Sequence, residues 1–164
     1  MAVEMTNTTK ILAGVVVLAE GRATVDGLRQ VFDHPWRRSL AGAARYTASV
    51  AVYMEMMHDS RLVSLDGRSK LNDTISQRLG SSRGHWEGDT LVVDTTNFTD
   101  KTRFRGSTEN LHVVERFTRK DGNTLLYRFT IEDPATWEKP WTAEYSWPAT
   151  NEHMYEYACH EGNY

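Results

Sequence analysis

The chain has one cysteine, Cys159, in 164 residues, so it can form no internal disulfide and no multi-cysteine zinc site. That usage is compatible with a reducing compartment. Neither charge is in excess: 19 Lys and Arg against 22 Asp and Glu leave −3, with a pI near 6.1. No general attraction to nucleic acid or to an anionic membrane follows from that balance. No apolar run approaches the ~20 residues of a membrane-crossing helix; the longest, residues 11–19, reads ILAGVVVLA. A G-x-S-x-G elbow is missing, which argues against an α/β-type serine hydrolase. Gly80-Ser81-Ser82-Arg83-Gly84 is turn material before a strand rather than a phosphate cradle. His-x-His, His-Glu-x-x-His and Cys-x-x-Cys are absent as well.

What remains is ordinary globular composition, 40% hydrophobic and 25% charged, in a chain long enough for one domain and short for two. Two textures divide it. Residues 1–45 are rich in Ala, Val and Leu, with Leu28, Val31 and Phe32 at helical spacing and Pro35 placed to stop a helix. They are read as a helical N-terminal segment packed on the rest, although Val15-Val16-Val17 is poor helix material. Val17-Leu18-Ala19 also has the look of a signal-peptide cleavage site, against which stand Glu4 and a single preceding lysine, Lys10.

Residues 46–164 read as strand after strand. Runs at 50–57 and 61–65 meet an Asp66-Gly67 turn, and 82–86 and 90–96 flank Glu87-Gly88-Asp89. Runs at 111–118 and 124–131 flank Lys120-Asp121-Gly122-Asn123, and 141–147 and 152–159 flank a turn at 148–151. Consecutive hairpins give an antiparallel meander, which at this length closes into a small barrel or curls into a half-barrel. The expected fold is therefore α+β: an antiparallel, lipocalin-like barrel or half-barrel with N-terminal helices.

The stretch 111–147 carries the chemistry. Alternate strand residues share a face, so Leu111, Val113, Glu115 and Phe117 point together. Leu125, Tyr127, Phe129 and Ile131 offer a matching face, as do Trp141, Ala143, Tyr145 and Trp147. A carboxyl set in such a lining is desolvated, which is how a protein prepares a general acid or base or a polar anchor for an apolar ligand. Glu115, assisted by Tyr127 or Tyr145, is the candidate for cofactor-independent proton transfer of isomerase, lyase or cyclase type. The plain alternative is a structural pair between Glu115 and Arg61 or Arg128; a bulge that turns Glu115 to solvent is a third. Candidate ligand contacts are Arg61, Arg128, the strand-end Asn97, and Trp141 and Tyr157 in the C-terminal aromatic set, which a barrel also needs simply to fill its interior.

Long motifs carry a resemblance. Glu55-Met56-Met57-His58-Asp59-Ser60-Arg61, the run GHWEGDTLVVDTTNF at 84–98, LHVVERF at 111–117 and YACHEGNY at 157–164 are similar to a family of uncharacterised bacterial proteins. The likeness covers about two thirds of the chain. It implies a β-rich fold and names no reaction. Members of that family are longer and often exported, whereas residues 1–45 here do not match, so localisation stays open between cytoplasm and export. Gly84-His85-Trp86 also resembles the short G-x-W motif of lipocalin-type barrels.

The expectation is a binder of a small, largely apolar molecule with no cofactor, no bound metal and no nucleic-acid or membrane partner, and a homodimer by default. Two rivals stand beside it. One is a metal-dependent enzyme using His58, His112 and His160, although nothing in their spacing forces convergence. The other is a non-catalytic assembly module with an apolar interface. For a nucleophilic Cys159, His160 is the wrong base, because strand neighbours point to opposite faces; the base would be His58, His85 or His112 from across the barrel, and a small core residue is the plainer reading.

Overall fold

The computed structural model describes residues 49–54, 59–102 and 104–151 in full, and the backbone of two further strands at 13–19 and 22–24. The strands are β1 (Ala13–Ala19), β2 (Arg22–Thr24), β3 (Ser49–Met54), β4 (Ser60–Ser64), β5 (Ser81–Glu87), β6 (Thr90–Thr96), β7 (His112–Arg119), β8 (Thr124–Glu132) and β9 (Trp141–Thr150). No helix occurs among the described residues. Strands β3 to β9 form one sheet curled into a half-barrel. With β1 and β2 added, the ladder runs β1-β2-β9-β8-β7-β6-β5-β4-β3 and closes through β1 and β3.

Two expectations need correction. The helix expected over 11–19 is instead the backbone of strand β1, in keeping with three successive β-branched valines, whose side chains fit a pleated surface better than a helical turn. The helix expected around 28–32 and the strand expected at 152–159 lie outside the described residues. The sheet is also mixed rather than an antiparallel meander: β4 and β5 run parallel. The connection 65–80 is long enough to carry the chain back before it re-enters the sheet, and only Val63↔Ser82 and Ser64↔Arg83 are in register across that junction.

The β5–β6 and β7–β8 hairpins are as the turn chemistry dictates, while the turn expected at 148–151 is instead the end of β9, which pairs through Pro148, Ala149 and Thr150. Glu87 pairs with Thr90 around Gly88-Asp89, where Gly88 has φ +57°, a value glycine takes without strain. Register then aligns side chains in rungs. One concave-face rung runs Trp86, Leu91, Phe117, Tyr127, Tyr145. The next runs Gly84, Val93, Glu115, Phe129, Ala143, and the next Ser82, Thr95, Val113, Ile131, Trp141. The missing side chain at Gly84 is required, because a Cβ there would lie 2.6 Å from Leu65 Cδ2 and 2.8 Å from Val63 Cγ1.

The core falls into two clusters. One gathers Val50, Val52, Val63, Leu91, Val93, Phe117 and Leu125; the other gathers Phe98, Leu111 and Ile131, with Trp137 and Trp141 against them. On β7, Glu115 lies between Val113 of the second cluster and Phe117 of the first. A single acid therefore sits where two apolar regions meet.

Candidate functional site

Strict alternation along β7 turns Glu115 inward, and the fold buries it to 5% exposure. Arg61 reaches it from β4, where Arg61 and Val63 share the inner face while Leu62 points out at 61% exposure. Arg61 Nη2 lies 2.6 Å from Glu115 Oε2, with the two side chains 14% and 7% exposed. Arg61 Nε and Glu115 Oε2 are both buried without a hydrogen-bond partner, so the contact holds as an ion pair. Tyr127, opposite Phe117 on β8, donates its hydroxyl to Glu115 Oε1 at 2.9 Å.

The electrostatics follow from burial and pairing. Burial works against the Arg61 guanidinium charge, yet the adjacent Glu115 carboxylate more than offsets it and holds the pKa above its ordinary value. Burial also pushes the Tyr127 phenol up, and the negative charge of Glu115 pushes it further. Tyr127 is thus a neutral donor at ordinary pH. Of the two arginines considered as partners, Arg61 takes the role; Arg128 lies on the outer face and pairs Glu144 through Nε at 2.7 Å and Nη2 at 2.6 Å.

Around this cluster stands an aromatic wall. Tyr127 stacks on Trp147 at 4.3 Å and on Phe117 at 4.9 Å between ring centroids. Phe129 lies near-parallel to Tyr145 at 6.1 Å and meets Trp141 edge-on at 5.7 Å. Tyr145 is the open end of the wall at 52% exposure. Its strand explains this, because β2 pairs with β9 only at Ala149 and Thr150. Trp141, packed against the second core cluster, keeps its Nε1 buried and without a hydrogen-bond partner.

The remaining candidates fall elsewhere. Asn97 has φ +60° and organises a loop: its amide donates to the carbonyls of Asn72 and Ile75, and its oxygen accepts from Thr96. Tyr157, His58, Cys159 and His160 lie outside the described residues. His85 and His112 are on the outer face. His112 Nε2 is 2.9 Å from Asp94, which also holds Lys70, and its Nδ1 is 3.5 Å from Glu132. Among the described residues no group of three or more His, Cys, Asp or Glu side chains is placed to hold a metal ion. Arg116 and Arg128 also border a surface depression with Thr90, Thr118, Leu126 and Glu144.

One residue that sequence reasoning missed is Asp133, 1% exposed in the β8–β9 connection. It accepts from the backbone N–H groups of Thr108 and Ala135 and from the Thr108 and Thr136 hydroxyls. Burial alone would raise its pKa, but these donors together hold it below the usual value. Asp133-Pro134 reads in sequence as turn material, and nothing local announces a partner 25 residues away.

Comparison with protein-family models, curated proteins and solved structures gives no match, so the geometry carries the functional reading.

Proposed function

We propose that the protein binds a small, largely apolar molecule against the concave face of its half-barrel, with Arg61, Glu115 and Tyr127 as the polar anchor. The observation that carries this reading is the placement of one ion pair inside an aromatic lining whose last member, Tyr145, is half open to solvent. An apolar lining with a few fixed polar groups is the general form of a small-molecule site. Replacing a buried ion pair by a well-packed hydrophobic pair of like volume is often neutral or stabilising, so stability alone is a weak reason for its presence.

Proton transfer at Glu115 is the narrower extension of this reading. Its support is the 2.9 Å hydrogen bond from Tyr127, a hydroxyl able to steady charge on an oxygen. Against it stands Arg61, which engages the other carboxylate oxygen. Binding without chemistry is therefore the form we adopt.

The test is titration with a neutral apolar fluorophore such as N-phenyl-1-naphthylamine, read by its emission and by quenching of tryptophan. Saturable binding is expected, weakened about three- to tenfold in Tyr145→Ala, the worth of one aromatic stacking contact. Absence of saturable binding, or an unchanged Kd in Tyr145→Ala, would overturn the reading.

A further inference from the structure

We propose that the outer face of the sheet carries a second binding site, for a small organic phosphate, in the depression between Arg116 and Arg128. It lies on the opposite side of the sheet from the aromatic lining and stands independently of the binding role proposed above.

Register builds this site from two neighbouring outer-face rungs. On one, Thr90, Thr118 and Leu126 follow one another across β6, β7 and β8; on the next, Arg116, Arg128 and Glu144 do so across β7, β8 and β9. These residues border about 260 Å³ of space. Clefts for drug-sized ligands run from ~300 to ~1,000 Å³, so the depression suits one ring and its substituent.

Charge is distributed to favour an anion at its centre. Arg116 and Arg128 stand directly opposite each other in register, and like charges so placed repel. Each is held by its own carboxylate on the side away from the other. Arg116 Nη2 reaches across β6 to Glu87 Oε2 at 2.6 Å, and Arg128 Nη2 meets Glu144 Oε2 on β9 at 2.6 Å. The order across the sheet is therefore minus, plus, plus, minus. These four charges sum to zero, but Coulomb energy falls with distance, so an anion between the guanidiniums gains more from them than it loses to the outer carboxylates. Glu144 borders the space at its β9 side, which places the anion toward Arg116 and the two threonines. Exposed ion pairs add little stability; what these two do is hold a pair of long side chains at the rim of one gap.

The donors then select the anion. A guanidinium has five N–H groups. Arg116 meets Glu87 through Nη2, and Arg128 meets Glu144 through Nε and Nη2, so donors remain on both. Thr90 Oγ1 and Thr118 Oγ1 lie 2.7 Å apart; one hydroxyl donates to the other, and the second keeps its own proton to give. Donors thus converge from two arginines and a threonine pair. A carboxylate offers two oxygens in one plane, whereas a phosphoryl group offers three around a tetrahedron, and arginine recognises phosphate well. Leu126, half-buried, is the apolar surface for the organic group.

The probe is phenyl phosphate at pH 7 and low ionic strength, titrated into the full chain by calorimetry and followed by backbone amide NMR. One saturable site per chain is expected, with amide shifts centred on Arg116, Thr118, Leu126 and Arg128. Benzoate and inorganic phosphate should each bind at least about fivefold more weakly, and benzyl alcohol not measurably. The double variant R128Q/E144Q removes one charge of each sign and so keeps the net charge. It should weaken phenyl phosphate at least about tenfold, whereas R68Q, at an exposed arginine of the 65–80 connection, should change nothing. Phenyl phosphate should not displace the fluorophore from the concave face. Circular dichroism checks the fold of both variants, and the amide map of the native chain locates the site without them. Lack of saturable binding, shifts spread over the surface, benzoate binding as tightly, displacement of the fluorophore, or full affinity in R128Q/E144Q would each overturn the proposal.

Discussion

Arg61 and Glu115 hold opposite charges where neither has enough water to stand alone. Replacing Glu115 by Gln keeps the shape and the acceptor for Tyr127 but leaves the guanidinium uncompensated. Breaking a buried pair from one side costs about 3–5 kcal/mol, so Glu115→Gln should lower the urea midpoint sharply. Tyr127→Phe removes one hydrogen bond to a charged acceptor and should cost about 1.5–3 kcal/mol. The two losses should not add, because both act on one carboxylate, and a double-mutant cycle measures the shortfall. If Glu115→Gln left stability unchanged or raised it, the ion pair would not be a stabilising partner of the core. The sequence placed Glu115 inward by alternation alone. It also contained the means to choose between the two arginines, since Arg128 sits between inward-facing Tyr127 and Phe129.

At the scale of elements, the β5–β6 and β7–β8 hairpins were legible because each is closed by local turn residues and keeps one apolar face, whereas β6–β7 and β8–β9 pair across the longer connections 97–111 and 133–140. What sequence could not deliver was every feature set by distant chain. The parallel junction of β4 with β5 depends on where the connection 65–80 returns, and Asp133 depends on Thr108, 25 positions earlier. The close approach at Gly84 belongs to the same class: glycine in a strand reads as a weakness, yet here it clears space for Leu65 and Val63. Gly84→Ala should therefore destabilise by about 1–3 kcal/mol through overpacking, with an unchanged m-value in urea. A neutral or stabilising effect would mean that these neighbours yield freely.

For the whole molecule, acid is the informative stress. Asp133 has its folded-state pKa depressed despite burial, by the Thr108, Ala135 and Thr136 donors. Asp94 is likewise depressed despite burial, by Lys70 and His112. A depressed carboxylate adds stability that is complete above its unfolded pKa, ~3.9 for Asp, and is lost as pH falls through the folded value. The urea midpoint should hold above about pH 5 and drop below about pH 4. Asp133→Asn should be less stable at pH 7 and should fall less steeply in acid. A slope identical to that of the native chain would show that Asp133 does not carry the acid sensitivity.

Besides the β1–β2 hairpin, the ring has two narrow joins, each with two residue pairs in register: β4 with β5, and β2 with β9. They divide it into blocks that are contiguous in sequence, β1 to β4 and β5 to β9, and Arg61 and Glu115 stand on opposite sides. Two polypeptides severed within 65–80 and expressed together should find each other and copurify, while the same halves bearing Glu115→Gln should part. The ion pair would then be the means by which one half recognises the other.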